Sequence, residues 1–440
     1  MPLEVACVRA DAPLSDAAAG LCLGFILLIP LAAAGLSLIN TGLNRSRSAA
    51  HAILSSLCLA AVAMLVYFLC GAAWLGGTGQ SFYLFTFAGK TWDWLGAGSF
   101  FLRSTNFDAP ATALMVLMQL ISVALASIIP AATAAERWRL GAASASTALL
   151  AGFIYPLFAH WVWGGGWLAQ LGTNFGLGAG FFDPGGAACI QTVGGLSALS
   201  LAWILGARRG KYSSEGVPAA MPGHNAVIVL FGCMLALVGF FGLNSAGSIL
   251  FAGLAPMECI LVDVNTALCA AAAGVAALVT TRVRFGRPDA SLTANGWVAG
   301  LVASSALGAF VRPVEAVIIG LAAGTLVLFA IEIIELRMKI DDPAGAISVH
   351  AVGGMWGLLA LGIFGRSPSA GTIQFLAQLV GIATLLGFVL PLTYSLNWLL
   401  NRVLPQRVAP EGERQGMDLF ELGAGAYPEF VTHREDFTRR

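Results

Sequence analysis

Charge is what this chain has least of. Among 440 residues there are 23 Lys and Arg, 23 Asp and Glu and five His, and the net charge is zero. A soluble domain of this length would need roughly a quarter or more of its surface charged, so the composition excludes an ordinary soluble fold. With no basic surplus there is no electrostatic footprint for nucleic acid. Metal and disulfide patterns are missing as well: the eight cysteines, at 7, 22, 58, 70, 189, 233, 259 and 269, sit mostly inside apolar segments without ligand-like or disulfide-like spacing. They read as small buried hydrophobes. No nucleophile–base pair and no cofactor motif appears, which argues against an enzyme and against a bound cofactor. Residues 1–16 lack a basic leader, so a cleaved signal peptide is not evident.

What is present is apolar length. Hydrophobic residues make up 58% of the chain and mean hydropathy is +0.82. A membrane-spanning helix needs roughly 20 apolar residues, and eleven stretches meet that: about 17–42, 50–76, 109–133, 139–163, 187–206, 225–243, 256–280, 291–311, 313–336, 347–365 and 370–400. The expected fold class is therefore an all-α polytopic membrane protein, spanning about 1–400 and followed by a tail over 401–440.

One motif occurs twice. Asp183-Pro184-Gly185-Gly186-Ala187-Ala188-Cys189-Ile190-Gln191-Thr192-Val193-Gly194-Gly195 matches Asp342-Pro343-Ala344-Gly345-Ala346-Ile347-Ser348-Val349-His350-Ala351-Val352-Gly353-Gly354 without a gap. Asp before Pro is a helix start, with Asp as cap and Pro in the first turn. Eight residues on, each copy holds one polar side chain, Gln191 or His350. That spacing carries it roughly 12 Å along a helix, to mid-depth in a bilayer. The duplication predicts two five-helix halves, about 17–206 and 225–365, with an eleventh helix after them.

Loop charges test the arrangement. Loops 1–2, 3–4, 5–6, 7–8 and 9–10 carry Arg45, Arg47, Arg137, Arg139, Arg208, Arg209, Lys211, Arg282, Arg284, Arg287, Arg337 and Lys339, twelve basic residues. The opposite side has four: Lys90, Arg103, Arg312 and Arg366. By the positive-inside rule the N-terminus is expected outside and the tail in the cytoplasm. Five helices per half is an odd number, so the halves are inverted relative to one another. Inverted repeats place a transport site at their interface near the midplane, where Gln191 and His350 are expected to meet. Each has a plain alternative as a packing residue that bonds a neighbouring helix, and Asp183 and Asp342 as simple caps. Glu332 and Glu335 are expected to pair locally with Arg337 and Lys339, and Glu258 and Asp263 either to line the outer end of the seventh helix and attract cations or to be simple solvated ends.

These residues resemble the ammonium transporter family, Amt/Mep/Rh, along nearly the whole chain. The resemblance is carried by Gly35-Leu36, Gly42-Leu43 and Arg45, Ala135-Glu136-Arg137, Val162-Trp163-Gly164-Gly165-Gly166 and His224-Asn225. It continues through Gly242-Leu243-Asn244-Ser245-Ala246-Gly247-Ser248, Asp341-Asp342-Pro343 with His350 and Gly353, and Gly416-Met417-Asp418 with Glu421 and Tyr427 in the tail. It implies a homotrimer in the plasma or inner membrane, each subunit with its own pore. Ammonium would be recruited at an outer vestibule, lose a proton and pass as NH3 along a hydrophobic path between two histidines. Potassium has no proton to lose. Trp163 and Ser248 match the recruiting aromatic and serine, Asp183 and Asp342 the structural carboxylates, and His350 one pore histidine. The family also docks a PII-type regulatory protein at its cytoplasmic face, although Glu421-Leu422-Gly423-Ala424 departs from the usual tail pattern.

Three positions depart from the family pattern. Gln191 stands where the other pore histidine belongs, and Ser122 and Leu243 stand where two gate phenylalanines belong. The entrance is therefore expected to be less aromatic and wetter, and the proton path interrupted, since Gln does not titrate while imidazole does so near 6.5. Besides ammonium transport, an ammonium sensor with little conduction and a channel for another small neutral molecule, such as CO2 or methylamine, remain open from the residues.

Overall fold

Apolar runs of this length leave each backbone N–H and C=O to be satisfied within the segment, and a helix does that in lipid. The computed structural model describes residues 14–76, 84–96, 98–366 and 372–427. Among them are eleven long helices: α1 Asp16–Leu43, α2 Ser46–Leu75, α3 Pro110–Thr133, α4 Leu140–Val162, α5 Ala187–Leu205, α6 Ala226–Ala252, α7 Pro256–Phe285, α8 Ala290–Leu307, α9 Pro313–Arg337, α10 Ile347–Phe364 and α11 Ile373–Val403. Ten are long and apolar enough to cross a membrane by themselves. The exception, α8, carries Asn295, Ser304 and Ser305, all buried within the protein rather than toward lipid.

The two halves, α1–α5 and α6–α10, meet where glycines let backbones touch. A Cβ on Gly239 of α6 would lie 2.6 Å from Ala32 Cα of α1. The duplicated helices cross in the same way: a Cβ on Gly195 would lie 2.9 Å from Ala351 Cα, and one on Gly354 would lie 2.6 Å from the Ala187 carbonyl. These two glycines are the last residue of each copy of the repeated motif, so the repeat encodes its own crossing point.

Three helix ends differ from the expected ones: those of α6, of α7, which runs on to Phe285 rather than about 280, and of α8. Helix α6 runs on to Ala252 rather than ending near 243, and closes at Gly253 with φ 65°. Asn244 and Ser245 read as a polar stop in sequence, but α7 and α8 satisfy them: Asn244 Nδ2 donates to Thr266 Oγ1 at 2.9 Å and Ser304 Oγ at 3.0 Å, and Ser245 Oγ donates to Asp263 Oδ1 at 2.8 Å. Helix α8 stops at Leu307, because Asn265 Nδ2 donates to the Gly308 and Val311 carbonyls and holds the following loop.

The face with the arginine-rich loops is tied by a buried network. Glu136 pairs with Arg45 and with Arg208 Nη1 at 2.8 Å, while Asp341 accepts from Arg208 Nε at 2.9 Å and Nη2 at 3.0 Å. Burial raises the Glu136 carboxyl, but Arg208 and Arg45 outweigh it and hold the group below its ordinary value. Asp341 is held low in the same way by Arg208 and Arg137. The tail, described as far as Tyr427, folds onto this face. Asp418 accepts from the N–H groups of Ala50 (3.1 Å) and His51 (2.7 Å) at the start of α2, and Glu421 accepts from Leu140 N at 3.0 Å at the start of α4. Residues 428–440 lie outside the described part. On the opposite face a short hairpin, β1 Leu84–Phe87 with β2 Lys90–Asp93, stands between α2 and α3.

The local ion-pair cluster expected at the end of α9 is not what forms. Glu332 pairs with Arg284 of α7 at 2.7 Å, and Glu335 with Lys211 of the 5–6 loop at 2.6 Å. Tertiary packing brings those cations nearer than Arg337 and Lys339.

Candidate functional site

Both copies of the motif start their helix with a widened turn. Ala187–Thr192 and Ile347–Val352 are π-helical, a geometry that adds a residue to the turn and recurs at functional sites. Asp-Pro does not open the helix directly; the carboxylate reaches forward and caps it. Asp183 Oδ2 accepts from Ala188 N at 3.0 Å and Cys189 N at 2.9 Å. Asp342 accepts from Ala346 N at 3.1 Å and Ile347 N at 2.8 Å.

The copies then diverge. Asp342 Oδ1 also accepts from Thr133 Oγ1 of α3 at 2.6 Å. Asp183 Oδ1 is buried with no hydrogen-bond partner. One cap is saturated and the other keeps an open acceptor.

At the crossing of α5 and α10 the expected meeting takes place. His350 Nδ1 lies 2.7 Å from Gln191 Oε1, and both side chains are buried. An amide oxygen only accepts, so in this arrangement the imidazole donates from Nδ1 and keeps a lone pair on Nε2. The amide nitrogen of Gln191 has no partner. The pair therefore presents one acceptor and one donor group that no protein atom uses.

Nearer the face opposite the tail, the indole of Trp163 at the end of α4 donates from Nε1 to the Asp183 carbonyl at 2.7 Å. The ring of Phe251, in the last turn of α6, stacks on it with centroids 4.4 Å apart and planes 6° from parallel. Ser248, one turn before Phe251, is fully buried and its hydroxyl has no partner. Ser122 on α3 is likewise buried with an unpartnered hydroxyl, and Leu243 packs in the core. Asp263 bonds to Ser245 and Glu258 caps Ala255 N at 2.7 Å, so both expected lining carboxylates have local partners. Sequence reading missed Phe251: its spacing of three from Ser248 puts it on the same helical face, but only once α6 is known to continue past 243. It also missed the arginine network, whose members are spread over four loops.

Eleven helices in two inverted halves, with two polar side chains meeting where the duplicated helices cross, define a polytopic membrane protein of the transporter class. The chain belongs to the Ammonium Transporter Family, whose model matches residues 21–427. It is 35% identical to the ammonium transporter Amt2 of Archaeoglobus fulgidus over 92% of this chain and 86% of that protein. It is 30% identical to the ammonium transporter of Bacillus subtilis over 91% and 96%. Among solved structures it resembles a protein described as a sensor Amt protein, with a TM-score of 0.83, 29% identity and coverage of 92% and 98%. It shares the fold of Candida albicans Mep2 at a TM-score of 0.78 and 23% identity, covering 92% and 89%.

Proposed function

We propose that this chain moves ammonium across the membrane by taking NH4+ at the outer mouth near Trp163, Ser248 and Asp183, returning its proton to water at that mouth, and passing NH3 between Gln191 and His350. The outer mouth is also where Ser122 and Leu243 stand in place of gate aromatics, and Asp342 holds the start of α10 as a structural carboxylate. The observation that carries the reading is the 2.7 Å contact between Gln191 and His350 at the crossing of the repeats. A bare central charge costs roughly 3 kcal/mol or more in hydrocarbon, whereas NH3 is neutral, and the pair offers it a lone pair to donate to and an N–H to accept from. Because Gln191 carries no titratable proton, side chains alone make no proton wire through the pair. Transport is then closer to uncoupled NH3 conduction than in a twin-histidine relative. The chain acts as a homotrimer in the cell membrane, with the arginine-rich face and the tail in the cytoplasm, where a PII-type protein would dock.

The test is a purified-protein liposome measurement in two modes. An ammonium gradient should give a rapid internal pH change with a substrate current smaller than that of a twin-histidine relative. A current as large as that relative's would refute uncoupled conduction.

A second reading, an ammonium sensor, is favoured by the likeness to the sensor Amt protein and by a tail whose carboxylates cap two membrane helices. Ammonium binding without any pH change in the liposomes would decide for it.

A further inference from the structure

We propose that Phe251 is the outer gate of this chain: its ring lies on the face of Trp163 that a cation would use, and it must swing aside before ammonium is bound. The proposal rests on the reading of Trp163 as the recruiting residue and says what controls access to it.

With planes 6° from parallel and centroids 4.4 Å apart, the rings cover one another. Trp163 is only 8% exposed and Phe251 6%. The two partners are not equally free to move. The indole is pinned through Nε1 to the Asp183 carbonyl, while Phe251 sits two residues before the glycine that ends α6 and has no polar anchor. Phe251 is therefore the mobile ring.

Two residues tied to the pair keep buried acceptors without a partner: Ser248, one turn from Phe251 on the same helical face, through Oγ, and Asp183, whose carbonyl pins Trp163, through Oδ1. An unsatisfied buried acceptor is costly, and an ammonium ion placed on the indole face would bring N–H donors to such groups. Ring stacking and cation–π attraction are of similar order, so an incoming ion can compete with Phe251 for Trp163. The arrangement also answers the missing gate aromatics at Ser122 and Leu243: an aromatic closure is supplied from two turns further along α6. The wetter entrance expected from sequence is thus closed by a different ring. Because the opening is made by one side chain turning, a larger cation such as methylammonium needs a wider displacement and is selected against.

The experiment compares native protein with Phe251→Ala, Phe251→Leu and Trp163→Leu in liposomes, reading half-saturating concentration and initial rate for ammonium and for methylammonium. Losing the stacked ring should lower the ammonium half-saturation about fivefold and admit methylammonium. Phe251→Leu keeps apolar volume without a π face, so it guards against loss of folding in the alanine variant, and it should shift in the same direction. Native values in both Phe251 variants, with Trp163→Leu weakened, would overturn the gate and leave Trp163 as recruiter. An unchanged half-saturation in Trp163→Leu would overturn the recruitment reading itself.

Discussion

The imidazole of His350 and the amide of Gln191, 159 positions apart in the chain, share a hydrogen bond of 2.7 Å between Nδ1 and Oε1. The bond fixes the imidazole with its proton on the shared side. On the transport path proposed above, the amide is a non-titrating group beside the imidazole. Replacing Gln191 with His should put two titratable rings in contact and raise the ammonium-evoked current on a solid-supported membrane by about tenfold, while His350→Ala should abolish the response. An equal current in native protein and Gln191→His would show that the proton travels by another route.

The pair meets because two glycines let α5 and α10 touch. A Cβ at Gly354 would stand 2.6 Å from the Ala187 carbonyl, too close without a backbone shift. Gly354→Val should therefore cost about 1–3 kcal/mol, as overpacking does, and reduce flux by separating Gln191 from His350. Thermal unfolding in detergent with the liposome assay reads both effects. A variant with native melting and native flux would count against close crossing.

Arg208 lies between two buried carboxylates, Glu136 and Asp341. Removing the cation leaves Glu136 with Arg45 alone and Asp341 with Arg137 alone, so Arg208→Met should destabilise by about 3 kcal/mol, seen as an early melt. The double change Arg208→Met with Glu136→Gln should recover part of that loss.

The same network sets an acid limit. Glu136 and Asp341 are held below their ordinary values in the folded protein. They contribute stability that is complete above the unfolded values, about 4.3 and 3.9, and is lost as pH falls through the folded ones. The stability difference between native protein and Glu136→Gln should thus be constant from about pH 6 to 8 and shrink below about pH 4. A difference that grows on acidification would contradict the sign.

Asp418 acts as a helix cap from 368 positions away, accepting from Ala50 N and His51 N. Asp418→Asn keeps the shape and loses the charge at the start of α2, which should weaken tail docking by about 1 kcal/mol. Faster proteolysis within the tail, with the helices intact, is the expected readout.

Much of this was legible in residue order. Apolar length gave the helix number, loop arginines gave the sidedness now proposed, and the repeated Asp-Pro motif gave inverted halves and the meeting of Gln191 with His350, since two identical local patterns at equal depth leave few other arrangements. The glycines that permit the crossing were in that same motif. The asymmetry between the copies was not: whether a carboxylate finds a third donor depends on which residue of another helix faces it, and Thr133 faces Asp342 while Asp183 Oδ1 is left open. Nor could sequence show that Asn244 and Ser245 lie mid-helix, because polar side chains end a helix or continue it according to the partners that neighbouring helices bring. Phe251 follows from that. Local periodicity determines which residues share a face, but only the packing of α4 against α6 decided that this ring rests on Trp163.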